Sequence, residues 1–266
     1  MQPRGGSTPI GAGQGPTAYD KVSFVRSRKP PRIVTLEASP LRLELDLTTT
    51  ALLVIDMQND FLHPDGWVAS RGGDTSRVRA PIPAIERTTS AARSAGVPVI
   101  WVNWGVRPDH ANVSESFVER AARGAHGPTY GDRSPSGRGR ILVRGDWGAE
   151  TIEDLTVAPS DLLVYKHRLS GFWDNELDSI LRARGITTLL FSGINTDRCV
   201  FTSLQDGNFL GYDCILVEDA CGTTSPDFVR DAVLYIIRLA HGMVTTTDAF
   251  CAAAGAPKLA EVRKAG

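Results

Sequence analysis

Residues 51–61 read ALLVIDMQNDF, five apolar residues ending abruptly in Asp56. The run does not alternate apolar with polar side chains, so both faces of the segment are expected to be covered, as in a strand inside a parallel sheet. Similar runs recur at Val97–Asn103 (VPVIWVN), Asp161–Tyr165 (DLLVY), Thr188–Ser192 (TLLFS), Cys214–Val217 (CILV) and Met243–Thr246. Helical patterns fall between them, near Ile82–Ala95, Asn175–Arg184, Cys199–Leu210 and Asp227–Ala240. In NELDSILRARG, apolar Leu177, Ile180 and Leu181 share a face, and Gly185 supplies the stop. Strands alternating with helices predict an α/β fold, a doubly wound, mostly parallel six-stranded sheet with helices on both faces.

The rest of the chain narrows what this fold could do. Hydrophobic residues make up 42% of the 266, enough for a sizeable core without disulfides. Lys plus Arg number 29 against 30 Asp plus Glu, a balance that lacks the footprint of a nucleic-acid binder. No apolar run reaches the roughly 18 residues a membrane span needs, and the opening MQPRGGSTPIGAGQGP has no apolar core of a secretory signal. Four cysteines, Cys199, Cys214, Cys221 and Cys251, do not space as a disulfide framework. The expectation is a soluble cytoplasmic protein with reduced thiols.

Residues 1–32, rich in Gly, Pro, Ser and Arg, are read as an extended arm, and 33–266 as one domain. Gly11–Gly15 follows no strand and opens no helix, so it is read as tail glycines. The irregular segment 106–144 carries Arg120, Arg123, Arg133, Arg138, Arg140 and Arg144. It is either a solvated insertion or a loop with an anionic partner.

Sites in doubly wound sheets form at the carboxyl ends of strands. Asp56 follows ALLVI, Lys166 follows LLVY, and Cys199 follows TLLFSGINTDR at the expected start of a helix. Each alone has a bland reading: a turn residue, a solvated ammonium, a small core filler. Their conjunction at three strand ends favours chemistry. A thiol at a helix N-terminus beside a lysine is expected to have a lowered pKa. A carboxylate can take its proton and later activate water. The turn through Gly193 can aim backbone N–H groups at an oxyanion. Together these parts describe acyl transfer at a carbonyl. A Cys–His pair using His167 or His241 is the alternative mechanism. Cys214, Cys221 and Cys251 are read as structural thiols, and Gln58 and Asn59 as braces of the Asp56 loop.

The segments LLVIDMQNDF, YKHRLSGFWDNELDSILRARGI and LLFSGINTDRCVFTSLQDG resemble those of the isochorismatase-like cysteine hydrolases over roughly residues 33 to 255. The resemblance implies a Rossmann-like fold, a homo-oligomer (dimer or tetramer), and an Asp56, Lys166, Cys199 triad. Cys199 would be the nucleophile, Asp56 the general base, and Lys166 the charge balance and substrate guide. It further implies a non-proline cis peptide at Ile194–Asn195, with the Asn195 and Cys199 amides as oxyanion hole.

Within the family, nicotinamidases carry an Asp-x-His metal motif where this chain has Val102-Asn103-Trp104-Gly105, so neither a metal nor another cofactor is expected. LVRGDWGAETIEDL and KHRLSGFWDNELDSILRARG look most like ureidoacrylate amidohydrolases and the biuret and triuret hydrolases. The expected reaction is cleavage of a small ureido or carbamoyl amide through an acyl-enzyme. The alternatives are vinyl-ether hydrolysis of the isochorismatase type and a catalytically silent binding member of the fold. Leu239 stands where biuret hydrolases offer a glutamine, which allows a more apolar substrate tail. Phe61, Trp147, Phe172 and Trp173 are the candidate substrate-binding aromatics. Neither nucleic acid nor membrane is an expected partner.

Overall fold

The computed structural model describes residues 30–122 and 127–255. Six strands build the central sheet: β3 (Thr50–Ile55), β4 (Val99–Trp104), β5 (Leu162–Lys166), β6 (Thr188–Ile194), β7 (Asp213–Gly222) and β8 (Met243–Thr245). Two earlier strands, β1 (Ile33–Leu36) and β2 (Leu43–Asp46), pair antiparallel in a separate small sheet. The large sheet runs β5-β4-β3-β6-β7-β8, every pair parallel.

Helices α1 (Asn59–Leu62), α2 (Trp67–Ser70), α3 (Ser76–Arg79) and α4 (Ile82–Ser94) lie between β3 and β4 in the chain. Then come α5 (Glu115–Ala122), α6 (Leu177–Ala183), α7 (Phe201–Phe209), α8 (Asp227–Ile236) and α9 (Thr247–Ala253). Helix α4 buries Ile85, Thr88, Thr89, Ala91 and Ala92 on one face, with Pro83 in its first turn. No helix among the described residues is long and apolar enough to cross a membrane.

The apolar runs are explained by cover on both faces. Every residue of β3 is buried. Ala51, Leu53 and Ile55 enter one core with Val102, Phe191 and Leu204, while Leu52 and Val54 enter the other with Ile85, Trp101 and Leu190. Strand β7 runs five residues past the expected Val217, continuing through Glu218 and Asp219, which break the apolar run without ending the backbone pairing.

Residues 1–29 of the expected arm lie outside the described residues. Arg32, its last residue, is tied to the domain: its N–H donates to Asp46 Oδ1 (2.9 Å), and its Nη1 donates to the Ala95 carbonyl (2.7 Å). In β5-β4-β3-β6-β7-β8 the winding reverses between β3 and β6, and the crevice beyond their carboxyl ends is where such sheets place ligands.

Candidate active site

Asp56 stands one residue beyond β3 with φ +55°, a left-handed turn that redirects the chain out of the sheet. Its N–H still donates to the Val102 carbonyl (3.0 Å), holding the turn to the end of β4. Gln58 braces the loop, donating to the carbonyls of Trp104 (2.8 Å) and Ala149 (2.7 Å) and accepting the Trp104 N–H (2.7 Å). Asn59 donates to the Trp147 carbonyl (2.8 Å).

Lys166 is the last residue of β5 and is wholly buried. Its Nζ lies 2.9 Å from Asp56 Oδ2, donates to the Arg168 carbonyl (3.1 Å), and sits 4.2 Å over the Trp104 ring. The Cys199 thiol completes the group within interaction range of both Asp56 and Lys166. No described residue makes a well-aligned hydrogen bond to either Asp56 oxygen. The three strand-end residues therefore meet.

One expectation is corrected. Burial, reinforced by the Asp56 charge, pushes the Cys199 thiol up to about 12 despite the nearby Lys166 ammonium. The helical turn starts at Thr196, so Cys199 lies within its first turn, and burial outweighs whatever the helix terminus contributes toward a thiolate. At neutral pH this burial favours the neutral form of the Cys199 thiol. Burial also raises Asp56, with Lys166 opposing the shift, which makes the carboxylate a better proton acceptor than an exposed one.

The Ile194–Asn195 peptide bond is cis. Beyond it, Thr196–Val200 forms a widened turn in which the Asn195 carbonyl accepts the Arg198 (3.0 Å) and Val200 (3.2 Å) amides and passes over that of Cys199 between them. Among the described residues the Asn195 N–H meets no acceptor. Its side chain is fixed from outside, Oδ1 accepting the Thr224 N–H (3.2 Å).

The aromatic surroundings differ from expectation. Trp104 stacks on Phe117 (ring centroids 5.4 Å) and tilts against Tyr130 (5.3 Å), which in turn meets Trp67 edge-on (5.1 Å). The Tyr130 phenol is raised by burial first and then by the charges of Cys199 and Asp56, and its ring sits against Trp104, which Lys166 covers. Trp104 pairs with Lys166 in the β4–β5 register, a strand-end position that the same search rule reaches.

Of the aromatics expected to bind substrate, Phe61 is half-buried between the two cores. Trp147 lines a cavity of about 350 Å³ with His63, Arg138 and Glu150. Phe172 instead packs on Tyr212 (5.9 Å) and against Gly207, and exposed Trp173 donates to Asp206 (2.6 Å). Both contacts lie about two turns along α7 from Cys199, so neither ring is brought to the triad.

His167 faces Asp174 (3.6 Å), and His241 sits against Gln205 (3.3 Å) and Asn208 (3.4 Å), so neither imidazole is placed to take the Cys199 proton. In the arginine-rich segment, Arg138 meets Asp65 (3.5 Å) and Arg140 meets Asp146 (3.0 Å). Arg144 donates to the Gly105 carbonyl (3.1 Å), while Arg123 lies outside the described residues. Asn103 donates to Thr151 Oγ1 (3.0 Å).

A thiol, a carboxylate and an ammonium gathered at the switch point of a parallel sheet define the class, a cysteine hydrolase. The family described as the isochorismatase domain matches residues 50–249, and the chain belongs to the isochorismatase family. It is similar to a cysteine hydrolase from Pseudomonas syringae pv. phaseolicola, with 28% identity, TM-score 0.67, and coverage of 79% of this chain and 94% of that one. An isochorismatase family protein from Desulfovibrio vulgaris shares 29% identity at TM-score 0.61, covering 76% of this chain and 95% of that one. An N-carbamoylsarcosine amidase from Thermoplasma acidophilum shares 27% at TM-score 0.57, covering 75% and 97%.

Proposed function

We propose that the protein is a cysteine amidohydrolase that cleaves the terminal C–N bond of a small ureido or carbamoyl amide. The observation that carries the reading is the buried Asp56–Lys166 ion pair (2.9 Å) in reach of the Cys199 thiol. The similarity to an N-carbamoylsarcosine amidase adds support.

In this reading Cys199 Sγ adds to the carbonyl carbon while its proton passes to Asp56. Moving the negative charge from Asp56 through sulfur to the substrate oxygen leaves Lys166 matched throughout, which keeps the buried site neutral overall. The oxyanion is received by the Asn195 and Cys199 N–H groups. The carbonyl re-forms as the C–N bond breaks, and Asp56 returns the proton so that ammonia leaves. Water, deprotonated by Asp56, then opens the thioester and restores the thiol. A ureido substrate yields a carbamate, which loses carbon dioxide to give an amine.

The test is ammonia release from ureidoacrylate, biuret, triuret, N-carbamoyl amino acids, nicotinamide and maleamate by the wild type and Cys199→Ala. Release by the wild type alone is expected. Silence from both on every amide would overturn the reading in favour of vinyl-ether chemistry or a binding role.

A further inference from the structure

Strands β6 and β7 end together, Ile194 opposite Gly222 being the last pair in their register. From there one chain enters the nucleophile turn and the other the loop Thr223–Ser225 that leads to α8. Three residues of the turn grip all three of the loop. Asn195 Oδ1 accepts the Thr224 N–H (3.2 Å). Asp197 receives both flanking hydroxyls, Thr223 Oγ1 donating to Oδ1 and Ser225 Oγ donating to Oδ2 (2.8 Å). Arg198 Nη2 donates to Thr224 Oγ1 (2.7 Å) and Ser225 Oγ (3.2 Å), with its Nε 3.5 Å from Asp197 Oδ2.

The carboxylate fixes the direction of every bond in this network. Burial alone would raise the Asp197 carboxyl, but the two hydroxyls and the Arg198 charge hold it below the usual range. An ionised carboxylate only accepts, so both hydroxyls give it their protons. Their lone pairs are then free for the Ser225 N–H, which donates to Thr223 Oγ1 (3.1 Å), and for Arg198. The Asp197 side chain is 10% exposed and Thr223 is buried, so water competes little for these bonds. The loop is also held on its far side. A Cβ at Gly222 would stand 2.8 Å from the Arg77 carbonyl oxygen of α3, and Arg77 Nη2 donates to Asp227 at the start of α8.

Asp197 lies two residues from Asn195 and two from Cys199, whose N–H groups receive the oxyanion in the proposed reaction. Such donors are effective only when held in place before charge develops. We propose that Asp197 is the positioning residue of the oxyanion hole, fixing the turn that aims those amides by binding the hydroxyls of Thr223 and Ser225. This rests on the amidohydrolase reading and adds to it a residue outside Asp56, Lys166 and Cys199. Both Asp197 oxygens are turned to the loop, and the charges that shift the Cys199 thiol are those of Asp56 and Lys166. Its removal acts on the amides and not on the nucleophile.

The experiment uses the full chain with Asp197→Asn, Thr223→Val, Thr223→Ser and the double variant Asp197→Asn/Thr223→Val. Two hydroxyls need two acceptor oxygens, and an amide has one. On the amide that the wild type cleaves fastest, Asp197→Asn and Thr223→Val are each expected to lose about 10–100-fold in kcat. Deleting an oxyanion donor outright costs roughly 10²–10³-fold. KM should stay within about threefold, Thr223→Ser should retain activity, and the double variant should be little worse than either single. Alkylation of Cys199 by iodoacetamide, a displacement that develops no oxyanion, should keep its wild-type rate, read by mass spectrometry of the Cys199 peptide. Thermal melting checks that the variants fold. Unchanged turnover in Asp197→Asn, alkylation falling in step with turnover, or additive losses in the double variant overturns the proposal.

If the wild type cleaves no amide, the hydrolase reading fails by itself, and acetaldehyde reads the turn independently. Cys199 Sγ adds reversibly to its carbonyl carbon while the thiol proton passes to the oxygen, which then occupies the place of the oxyanion. Protection of Cys199 from iodoacetamide by acetaldehyde, weakened about tenfold in Asp197→Asn, sustains the assignment. Equal protection in both proteins, or none in the wild type, overturns it.

Discussion

Lys166 Nζ lies 2.9 Å from Asp56 Oδ2, in a pair whose side chains are 0% and 2% exposed. Both charges have left water, so their attraction must be set against the desolvation of each, and the pair is not by itself a source of stability. Its value lies in coupling: neither charge can be removed without stranding the other beside the thiol.

Lys166→Met is therefore expected to destabilise the fold by about 3–5 kcal/mol, the range for breaking one side of a buried pair. The double variant Asp56→Asn/Lys166→Met should recover a large part of that loss. Urea denaturation of both singles and the double gives the coupling energy directly. Additive losses would show that the two groups do not sense each other.

In the proposed reaction Asp56→Asn removes the proton acceptor, and a general base contributes roughly 10²–10⁴-fold. A loss of kcat in that range is expected, with KM little changed. In the wild type the base must be ionised, so kcat/KM falls with pH through the Asp56 titration. Burial places that acid limb above the ordinary 3.8. Stability has the opposite sign: a raised folded value favours the fold below 3.8 and is lost as pH climbs through it. An acid limb at or below 3.8 would remove Asp56 from the base role.

The same variant should have an opposite effect on alkylation. The Asp56 charge helps push the Cys199 thiol up to about 12, so deleting it lowers the thiol pKa. Iodoacetamide should label Cys199 slowly in the wild type near neutral pH and keep accelerating past pH 9, where an ordinary cysteine levels off. Asp56→Asn should label faster although it turns over more slowly. If labelling and turnover fall together, Cys199 is activated in the resting state by Asp56, contrary to the geometry.

The large sheet and the meeting of Asp56, Lys166 and Cys199 at its strand ends were legible because strands buried on both faces leave uninterrupted apolar runs, and a reactive residue at the end of such a run stands out. The β1–β2 pair was not, because LELD in β2 alternates and is only half covered. Trp104 was within reach of the strand-end rule, being opposite Lys166 in register. Tyr130 was hidden, since the irregular chain around it is fixed by contacts without sequence periodicity. Asp60 Oδ2 accepting the Leu142 N–H (2.8 Å) is one such contact. The protonation of Cys199 was illegible for a related reason: its burial is set by distant segments, and it outweighs the local dipole.

Gly193 carries the last prediction. It pairs with Ile55 between β6 and β3, at φ +110°, and a Cβ there would stand 2.1 Å from the Ile55 carbonyl oxygen. Gly193→Ala must push apart the strands that present Asp56 and Cys199. Gly211 also has a positive φ, +90°, but a Cβ there meets nothing within 4 Å. The two alanine variants thus separate backbone strain from strand displacement. Gly211→Ala is expected to cost about 1–3 kcal/mol of stability and to keep its activity. Gly193→Ala should cost more and lower kcat/KM by about 10²-fold, the penalty for misplacing reacting groups by about 1 Å. Melting curves and ammonia release on the same preparations decide it. A folded Gly193→Ala with kcat/KM within threefold of wild type would mean that the close approach of β3 and β6 does not set the spacing of base and nucleophile.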